Sequence, residues 1–122
     1  MNGGAVARVS LDREAPVAIA ELEGEVDASN AEAVGGEIAG LVSNAPTGLL
    51  LDLSRTRYLD SAGVRMLLDL AESLRQRRQD LSLVVPERTP VRRLLTVAGI
   101  HQLMSVAPSR EEALERAEGE LG

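Results

Sequence analysis

Residues 49–70 read LLLDLSRTRYLDSAGVRMLLDL, and this stretch does most to decide the fold. It opens with an apolar run at residues 49–53 that is broken only by Asp52, which is typical of a strand covered on both faces. A polar loop follows, and from Val64 onward apolar residues recur every three or four positions, as they do along one face of a helix. We therefore predict a central strand, a polar loop and a long helix that begins near Ser61.

Short apolar runs elsewhere predict the other strands. Alternating apolar and polar residues indicate two strands at residues 5–11 and 17–22, joined as a hairpin. Residues 81–85 form a further apolar run that Pro86 stops, and residues 102–107 are predicted as a last, short strand. With the central strand, this gives a sheet of four to five strands.

Helical spacing and capping residues predict the remaining helices. Residues 28–42 carry an apolar face, although Gly35 and Gly36 weaken this helix. Thr89 is a suitable N-cap for the next helix, and Ser109 forms a capping box with the acidic residue three positions later at the start of the last one. With the long helix, about four helices are expected.

The order of these elements, β-β-α-β-α-β-α-β-α, predicts an α/β fold with a mixed β-sheet, since strands joined by single helices favour parallel pairing. The sequence contains no internal repeat or low-complexity linker that divides it. Its 122 residues correspond to one domain, residues 1–122, with a tail at 119–122 that is expected to fray.

Composition excludes several classes of function. The chain has 19 acidic and 13 basic residues, all of the latter Arg, and its net charge of -6 disfavours binding to nucleic acid or to an anionic membrane. Without Cys and with a single His, it can form no disulfide, thiol nucleophile, zinc–thiolate site or multi-histidine metal site.

Without Lys the chain has no Walker-type phosphate loop, and no nucleophile–base pair is apparent, so we expect neither an enzyme nor a cofactor. No run approaches the roughly 18 apolar residues of a membrane span and the first residues do not resemble a signal peptide, which predicts a cytoplasmic protein.

Ser61 stands at the start of the predicted long helix, and two uses of its hydroxyl suit that position. Unpaired backbone N–H groups and the positive end of the helix dipole favour an anion there, so a phosphate could be carried without unfolding. The hydroxyl could equally act as a plain helix N-cap. Chain order brings Asp27 and Asp60 close to Ser61, where a phosphate would concentrate negative charge. Asp27 is also suited to cap a helix and Asp60 to form an Asx turn, uses that are compatible with a recognition role.

Two motifs resemble those of the STAS domain, the fold shared by anti-sigma factor antagonists and the cytoplasmic tails of sulfate transporters. They are Asp60-Ser61-Ala62-Gly63, at the mouth of the long helix, and Gly24-Glu25-Val26-Asp27, followed by Ala28-Ser29-Asn30. Both occur in the order and spacing of the family, and the resemblance covers nearly the whole chain. It implies that Ser61 is phosphorylated by a partner that is both a serine kinase and an anti-sigma factor. It further implies that the unphosphorylated chain binds this partner and releases a sigma factor.

We expect the residues around Ser61 to form a partner-binding surface. They are Asp27, Ser29, Asn30, Arg57, Tyr58, Asp60, Ala62, Gly63, Val64 and Arg65. Ala62 replaces a second Ser or Thr that many antagonists carry, which confines modification to Ser61, and Gly63 permits close approach of a partner or of a neighbouring strand. Arg65, often a small residue in relatives, could pair with a phosphate or with partner carboxylates, or stay solvated. Tyr58, the only aromatic residue, could anchor an interface or close the end of the core.

The expected partners are an anti-sigma factor with serine kinase activity and a protein phosphatase that reverses the modification. We expect no nucleic acid and no membrane as partners, and a monomer or weak dimer. The resemblance also allows an alternative, a STAS subunit of a lipid-exporting ABC transporter, in which the same helix face contacts an ATPase permanently.

Overall fold

The computed structural model describes residues 6–12, 18–41 and 48–121. Three ends of predicted elements, at residues 5, 17 and 42, and residue 122 of the predicted tail lie outside these ranges. Within them, no helix is both long and apolar enough to cross a membrane.

Among the described residues, six strands form one mixed sheet. They are β1 (Ala7–Asp12), β2 (Ala18–Val26), β3 (Gly48–Asp52), β4 (Thr56–Leu59), β5 (Asp80–Val84) and β6 (Ser105–Ala107). The sheet has the order β1-β2-β3-β5-β6, and β4 also pairs with β2, beyond the end of β3. β1 runs antiparallel to β2, and the other pairs are parallel. The α/β fold with a mixed sheet is confirmed, although with more strands than the four to five predicted.

The described residues also form four α-helices. They are α1 (Ala31–Leu41), α2 (Ser61–Arg75), α3 (Pro90–Val97) and α4 (Arg110–Leu121). A 3-10 turn at Ile100–Gln102 precedes β6 and shortens the strand predicted at 102–107. α1 begins three residues later than predicted, and α4 continues to Leu121, past the point where the sequence predicts fraying.

The polar loop predicted after the central strand contains β4. The Asp52 side chain accepts a hydrogen bond from the Ser54 N–H (2.9 Å), and the Thr56 N–H donates to the Leu53 carbonyl (3.1 Å), which turns the chain between β3 and β4. β4 then pairs with the second half of β2. Only Thr56 and Leu59 of this strand are buried. Because it has no apolar run, apolar spacing does not reveal it.

Helices cover both faces of the sheet. On one face α1, α2 and α3 pack over a large apolar cluster to which the sheet contributes Leu22, Leu51 and Leu83. On the other face, α4 packs over β5 and β6 beside a smaller cluster that includes Leu50 and Val84. Every residue of β3 is buried, which confirms a central strand covered on both faces.

Asp52 is a carboxylate buried in this central strand, with only 3% of its surface exposed. Arg110, the first residue of α4, donates from Nε to Oδ2 of Asp52 (2.5 Å) and from Nη2 to Oε2 of Glu21 (3.0 Å). A buried carboxylate is costly unless it is both paired and hydrogen-bonded. Arg110 therefore compensates Asp52 and ties the last helix to β2 and β3.

Replacing Arg110 by Ala is expected to lower the free energy of unfolding by about 3 kcal/mol, because it leaves the Asp52 carboxylate buried without its cation. Urea denaturation followed by circular dichroism measures this change. Arg75→Ala is the matched control: Arg75 forms an exposed ion pair with Glu72 (3.5 Å), and its loss should cost less than about 1 kcal/mol. Equal losses in the two variants would contradict the role given to Arg110.

Candidate functional site

The candidate site lies where β2 and β4 end side by side. Val26 and Leu59, the last residues of these strands, are paired neighbours, and the Asp60 N–H donates to the Val26 carbonyl (3.3 Å). Asp27 and Asp60 directly follow these two residues, so the loops that carry the sequence motifs meet at one edge of the sheet. The structure thus brings together Asp27, Asp60 and Ser61, as chain order predicts.

Asp60 is the N-cap of α2. Its backbone is extended (φ -115°, ψ -165°), and its Oδ1 accepts hydrogen bonds from the N–H groups of Ala62 (2.9 Å) and Gly63 (3.2 Å). Ser61 is therefore not the cap, which was one of the two uses considered for it, but the first residue of the helix. The sequence predicts unpaired N–H groups at this helix start, but those of Ala62 and Gly63 are not open to an anion because the Asp60 carboxylate accepts their hydrogen bonds.

Ser61 is exposed at this corner of the fold. A modifying enzyme can therefore reach the residue without unfolding the chain. A phosphate on Ser61 would lie next to a carboxylate that already holds the first N–H groups of the helix. Its charge would then remain on the surface, because the N–H groups of Ala62 and Gly63 already donate to Asp60.

The turn between β2 and α1 is held by hydrogen bonds between side chains and backbone. Asp27 Oδ1 accepts from the N–H (2.8 Å) and the hydroxyl (2.5 Å) of Ser29. Asn30 Oδ1 accepts from the Asp27 N–H (3.0 Å), and its Nδ2 donates to the Glu25 carbonyl (2.9 Å). Asp27 thus forms an Asx turn that leads into α1, and its carbonyl also accepts the Ala31 N–H (2.9 Å) at the first residue of that helix. Ser29 and Asn30 fix the position of this carboxylate.

The Ser29 hydroxyl, and after it the Ser29 N–H, hold the pKa of the Asp27 carboxyl below its usual value of 3.8. Both groups donate hydrogen bonds that favour the charged form of the carboxyl. Asp27 is therefore an anion at neutral pH, and it lies on the loop adjacent to Ser61.

Arg57 and Tyr58 are both exposed on β4. The register between β2 and β4 shifts here: Thr56 pairs with Gly24 and Tyr58 with Glu25, so Arg57 falls between two successive partners. Such an irregularity re-aims side chains, and it explains why adjacent residues of one strand are exposed together. The sequence allows two roles for Tyr58, an interface anchor or a residue that closes the end of the core. Tyr58 is 50% exposed, so it does not close the core.

The first turn of α2 contains both buried and exposed residues. Gly63 is buried, and a side chain there would bring its Cβ to 2.6 Å from Leu59 Cδ2. Close packing of the helix on β4 therefore explains this glycine. Ala62 and Val64 are partly buried against the core, whereas Arg65 is exposed.

A groove of about 470 Å³ separates α1 from α2 and opens beside this corner. Its lining includes Ala28, Glu32, Ala62, Arg65 and Asp69. No local sequence pattern reveals this groove, because it forms between two separate helices of the chain. A signal was nevertheless present, since Gly35 and Gly36, which weaken the predicted helix, both line the groove.

The corner combines exposed hydroxyl groups with carboxylates and guanidinium groups. An exposed Ser61 lies beside the Asp60 carboxylate and near the Asp27 loop, with guanidinium groups on β4 and α2. Within residues 6–12, 18–41 and 48–121, no group of three or more His, Asp or Glu side chains is placed to hold a metal ion.

Known proteins resemble this chain in sequence and in fold. Residues 9–106 match the family model described as "Mlab, STAS domain". The chain is 36% identical over 107 residues to the protein named anti-sigma factor antagonist BtrV of Bordetella bronchiseptica. The aligned region covers 87% of this chain and 90% of BtrV. An anti-sigma factor antagonist from Mycobacterium paratuberculosis has a similar fold, with a TM-score of 0.81, 23% identity and coverage of 91% and 93% of the two chains.

The anti-sigma factor antagonist SpoIIAA of Bacillus has been solved in two forms that both resemble this chain. The unphosphorylated form gives a TM-score of 0.71 at 25% identity, with 92% of this chain and 97% of SpoIIAA covered. The phosphorylated form gives a TM-score of 0.62 at 22% identity, with 90% and 99% covered.

Asp60→Ala is expected to lower the free energy of unfolding by about 1 kcal/mol, because α2 loses its N-cap. Asp60→Asn keeps an oxygen that accepts the same hydrogen bonds and should cost less than about half as much. Guanidinium denaturation of the two variants beside the parent chain measures the difference. If both variants lose the same stability, capping is not the role of Asp60.

Ser29→Ala is expected to raise the pKa of the Asp27 carboxyl toward 3.8, because the strongest hydrogen bond to its charged form is removed. A pKa that folding lowers makes a stabilising contribution above the unfolded value, and this contribution is lost as the pH falls through the folded pKa. In the parent chain the contribution is therefore lost only below pH 3.8, and in Ser29→Ala only the smaller part that comes from the residue 29 N–H remains. NMR titration of the Asp27 carboxyl carbon measures both pKa values, and identical values would rule out the Ser29 contact as the cause.

Proposed function

We propose that this chain, which belongs to the STAS domain family and within it to the anti-sigma factor antagonists, binds an anti-sigma factor with serine kinase activity while Ser61 is unmodified. Binding releases the sigma factor held by that partner, and phosphorylation of Ser61 by the same partner breaks the complex. The observation that carries this proposal is the exposed position of Ser61 as the first residue of α2, beside an Asp60 carboxylate that already binds the helix N–H groups.

In this proposal the chain acts by binding, and the chemistry belongs to the kinase. The γ-phosphoryl group of ATP moves to the Ser61 oxygen, the hydroxyl proton passes to a base of the kinase, and ADP leaves. A protein phosphatase hydrolyses the phosphate ester and restores the binding form. We place the whole cycle in the cytoplasm.

The charge added by phosphate is sufficient to switch binding. A phosphate ester carries about -1.5 to -2 charges at neutral pH, and it is added beside Asp60 and close to Asp27. A partner that packs against this corner must bring its own groups against that charge, and a desolvated, unpaired charge in an interface costs several kcal/mol. Because each 1.4 kcal/mol changes Kd about tenfold, a loss of affinity of about 100-fold needs less than about 3 kcal/mol.

Exposed side chains on β4 and α2 form one side of the proposed partner surface. Tyr58 offers an aromatic anchor of the kind that dominates binding energy. Arg57 and Arg65 offer guanidinium groups that can bind partner carboxylates through two hydrogen bonds. In the described part of the chain neither of them forms an ion pair, so both are available to a partner.

The turn between β2 and α1 forms the other side of this surface. Ser29 is exposed, and Asp27 and Asn30 are half-buried beside it. Ala62 and Val64, which are partly buried, contribute mainly to the shape of the surface, and Gly63 lets α2 begin close to β4.

Related proteins support the proposal. BtrV, which matches most of the chain, is named as an anti-sigma factor antagonist. SpoIIAA, with the same fold, has been solved in unphosphorylated and phosphorylated forms, so this fold accommodates a phosphate. The Ser61 site is our assignment for this chain.

Ser61→Ala is expected to bind the anti-sigma factor even with ATP present, whereas Ser61→Glu should bind at least about 100-fold more weakly. Isothermal titration calorimetry with purified anti-sigma factors of the same organism, tested one at a time, measures both affinities. Ser61→Gln is the matched control, because it has the size of Glu without the charge and should bind within about threefold of the parent chain.

Mass spectrometry of the peptide spanning residues 58–65, after incubation with the same anti-sigma factor and ATP, should find the phosphate on Ser61. Phosphate on another residue, with Ser61 unmodified, would overturn the proposed site. Equal binding of the anti-sigma factor by the Ala and Glu variants would overturn the switch.

A further inference from the structure

We infer that the groove between α1 and α2 receives an amphipathic helix of the anti-sigma factor, with small or apolar residues on the inserted face and basic residues at its flanks. This inference rests on the proposed function and specifies how the partner is held. It extends the partner surface from the corner around Ser61 along the length of two helices.

The geometry of the groove suits a helix. α1 follows β2 and α2 follows β4, and because these strands are parallel neighbours, both helices start at the same edge of the sheet. The lining residues recur every three or four positions on each side: residues 28, 31, 32, 35, 36 and 39 on one, and 62, 65, 66, 69, 70 and 73 on the other. On each side the lining spans about 11 residue steps, which in a helix correspond to about 16 Å or three turns. Two adjacent helices with small residues between them offer a channel in which a third helix can pack closely.

Gly36 leaves the α1 side of the groove open to a helix from another molecule. Glycine weakens a helix relative to alanine, so its place in α1 needs a reason. Gly35 has one, because a Cβ there would lie 3.0 Å from Met66 Cγ. A Cβ on Gly36 would meet nothing within 4 Å, and its φ is not positive. Nothing within the described chain requires Gly36 to be small, whereas a helix lying in the groove would.

The charges along the groove define the chemistry of its occupant. Its charged lining residues are Glu32 on α1 and Arg65 and Asp69 on α2, which leaves a net negative charge, while Ala31, Met66 and Leu70 provide apolar surface. Two carboxylates at the rim of an apolar channel favour a helix with an apolar face and flanking Arg or Lys side chains.

Arg65 connects this groove to the proposed switch. It lines the groove and stands four residues after Ser61, so the two side chains are neighbours on one face of α2. A partner carboxylate that binds Arg65 would be repelled by a phosphate on Ser61, and the phosphate would compete for the same guanidinium group. The switch and the groove therefore share one residue, and phosphorylation weakens the docking of the helix.

A matched pair of glycine substitutions tests the inference. Gly36 and Gly40 are both exposed in α1, and neither would give its Cβ a contact within 4 Å, but only Gly36 lines the groove. Leu at either position should raise the thermal unfolding midpoint, by about 4 °C, because both replacements improve helix propensity. Only Gly36→Leu should weaken binding to the anti-sigma factor that the parent chain binds, by about tenfold or more, while Gly40→Leu stays within about threefold. Calorimetric titration of both variants against the same purified anti-sigma factor gives the comparison.

The outcomes separate this inference from the proposed function. If the parent chain binds an anti-sigma factor in a Ser61-dependent manner and Gly36→Leu binds equally well, the groove is not the docking site and the proposed function stands. If the parent chain binds none of the anti-sigma factors, both fail. A dimer of the chain that Gly36→Leu dissociates in sedimentation experiments would place a second copy in the groove and overturn the inference.

Discussion

The pairing of β4 with the second half of β2 is the constraint on which the site depends. β2 is nine residues long; its first half pairs with β3 and its second half with β4. The short turn between β3 and β4 therefore lets the chain continue along the same neighbour for four more residues, or about 13 Å at the usual rise of a strand. This extension carries Asp60 to the level of Asp27, so that two loops far apart in sequence form one surface.

The N-cap of α2 determines how this surface responds to charge. A helix start usually attracts anions through its unpaired N–H groups. Here Asp60 binds the N–H groups of Ala62 and Gly63, and the following residue, Ser61, is exposed. In the proposed switch, Asp60 anchors the helix and the adjacent Ser61 is modified. A group added to Ser61 can change what a partner encounters while the cap and the packing of Gly63 on Leu59 hold the helix in place.

Periodicity sufficed to predict the elements that bury a continuous apolar face, whereas features set by tertiary contacts escaped it. The central strand and α2 were predictable because their apolar residues follow the strand and helix periods. The Thr89 and Ser109 caps were predictable from residue type, and each hydroxyl accepts a hydrogen bond from the N–H three residues later. β4 has only two buried residues, and it is a strand because β2 offers unpaired backbone groups beside it. Local sequence could not choose between Asp60 and Ser61 as the cap, since both residue types cap well and the choice depends on where β4 ends. The groove depends on the spacing of two separate helices, and only the glycines of α1 hinted at it.

The tie between Asp52 and Arg110 has a consequence for the order in which the protein is completed. Asp52 positions the turn into β4 through Ser54, and its second oxygen binds a guanidinium group 58 residues later in the chain. During synthesis on the ribosome, Asp52 and the turn into β4 therefore emerge well before Arg110, the cation that pairs with the Asp52 carboxylate. Arg110 on the last helix must therefore fold back onto Asp52 before the buried carboxylate at the turn into β4 gains its cation.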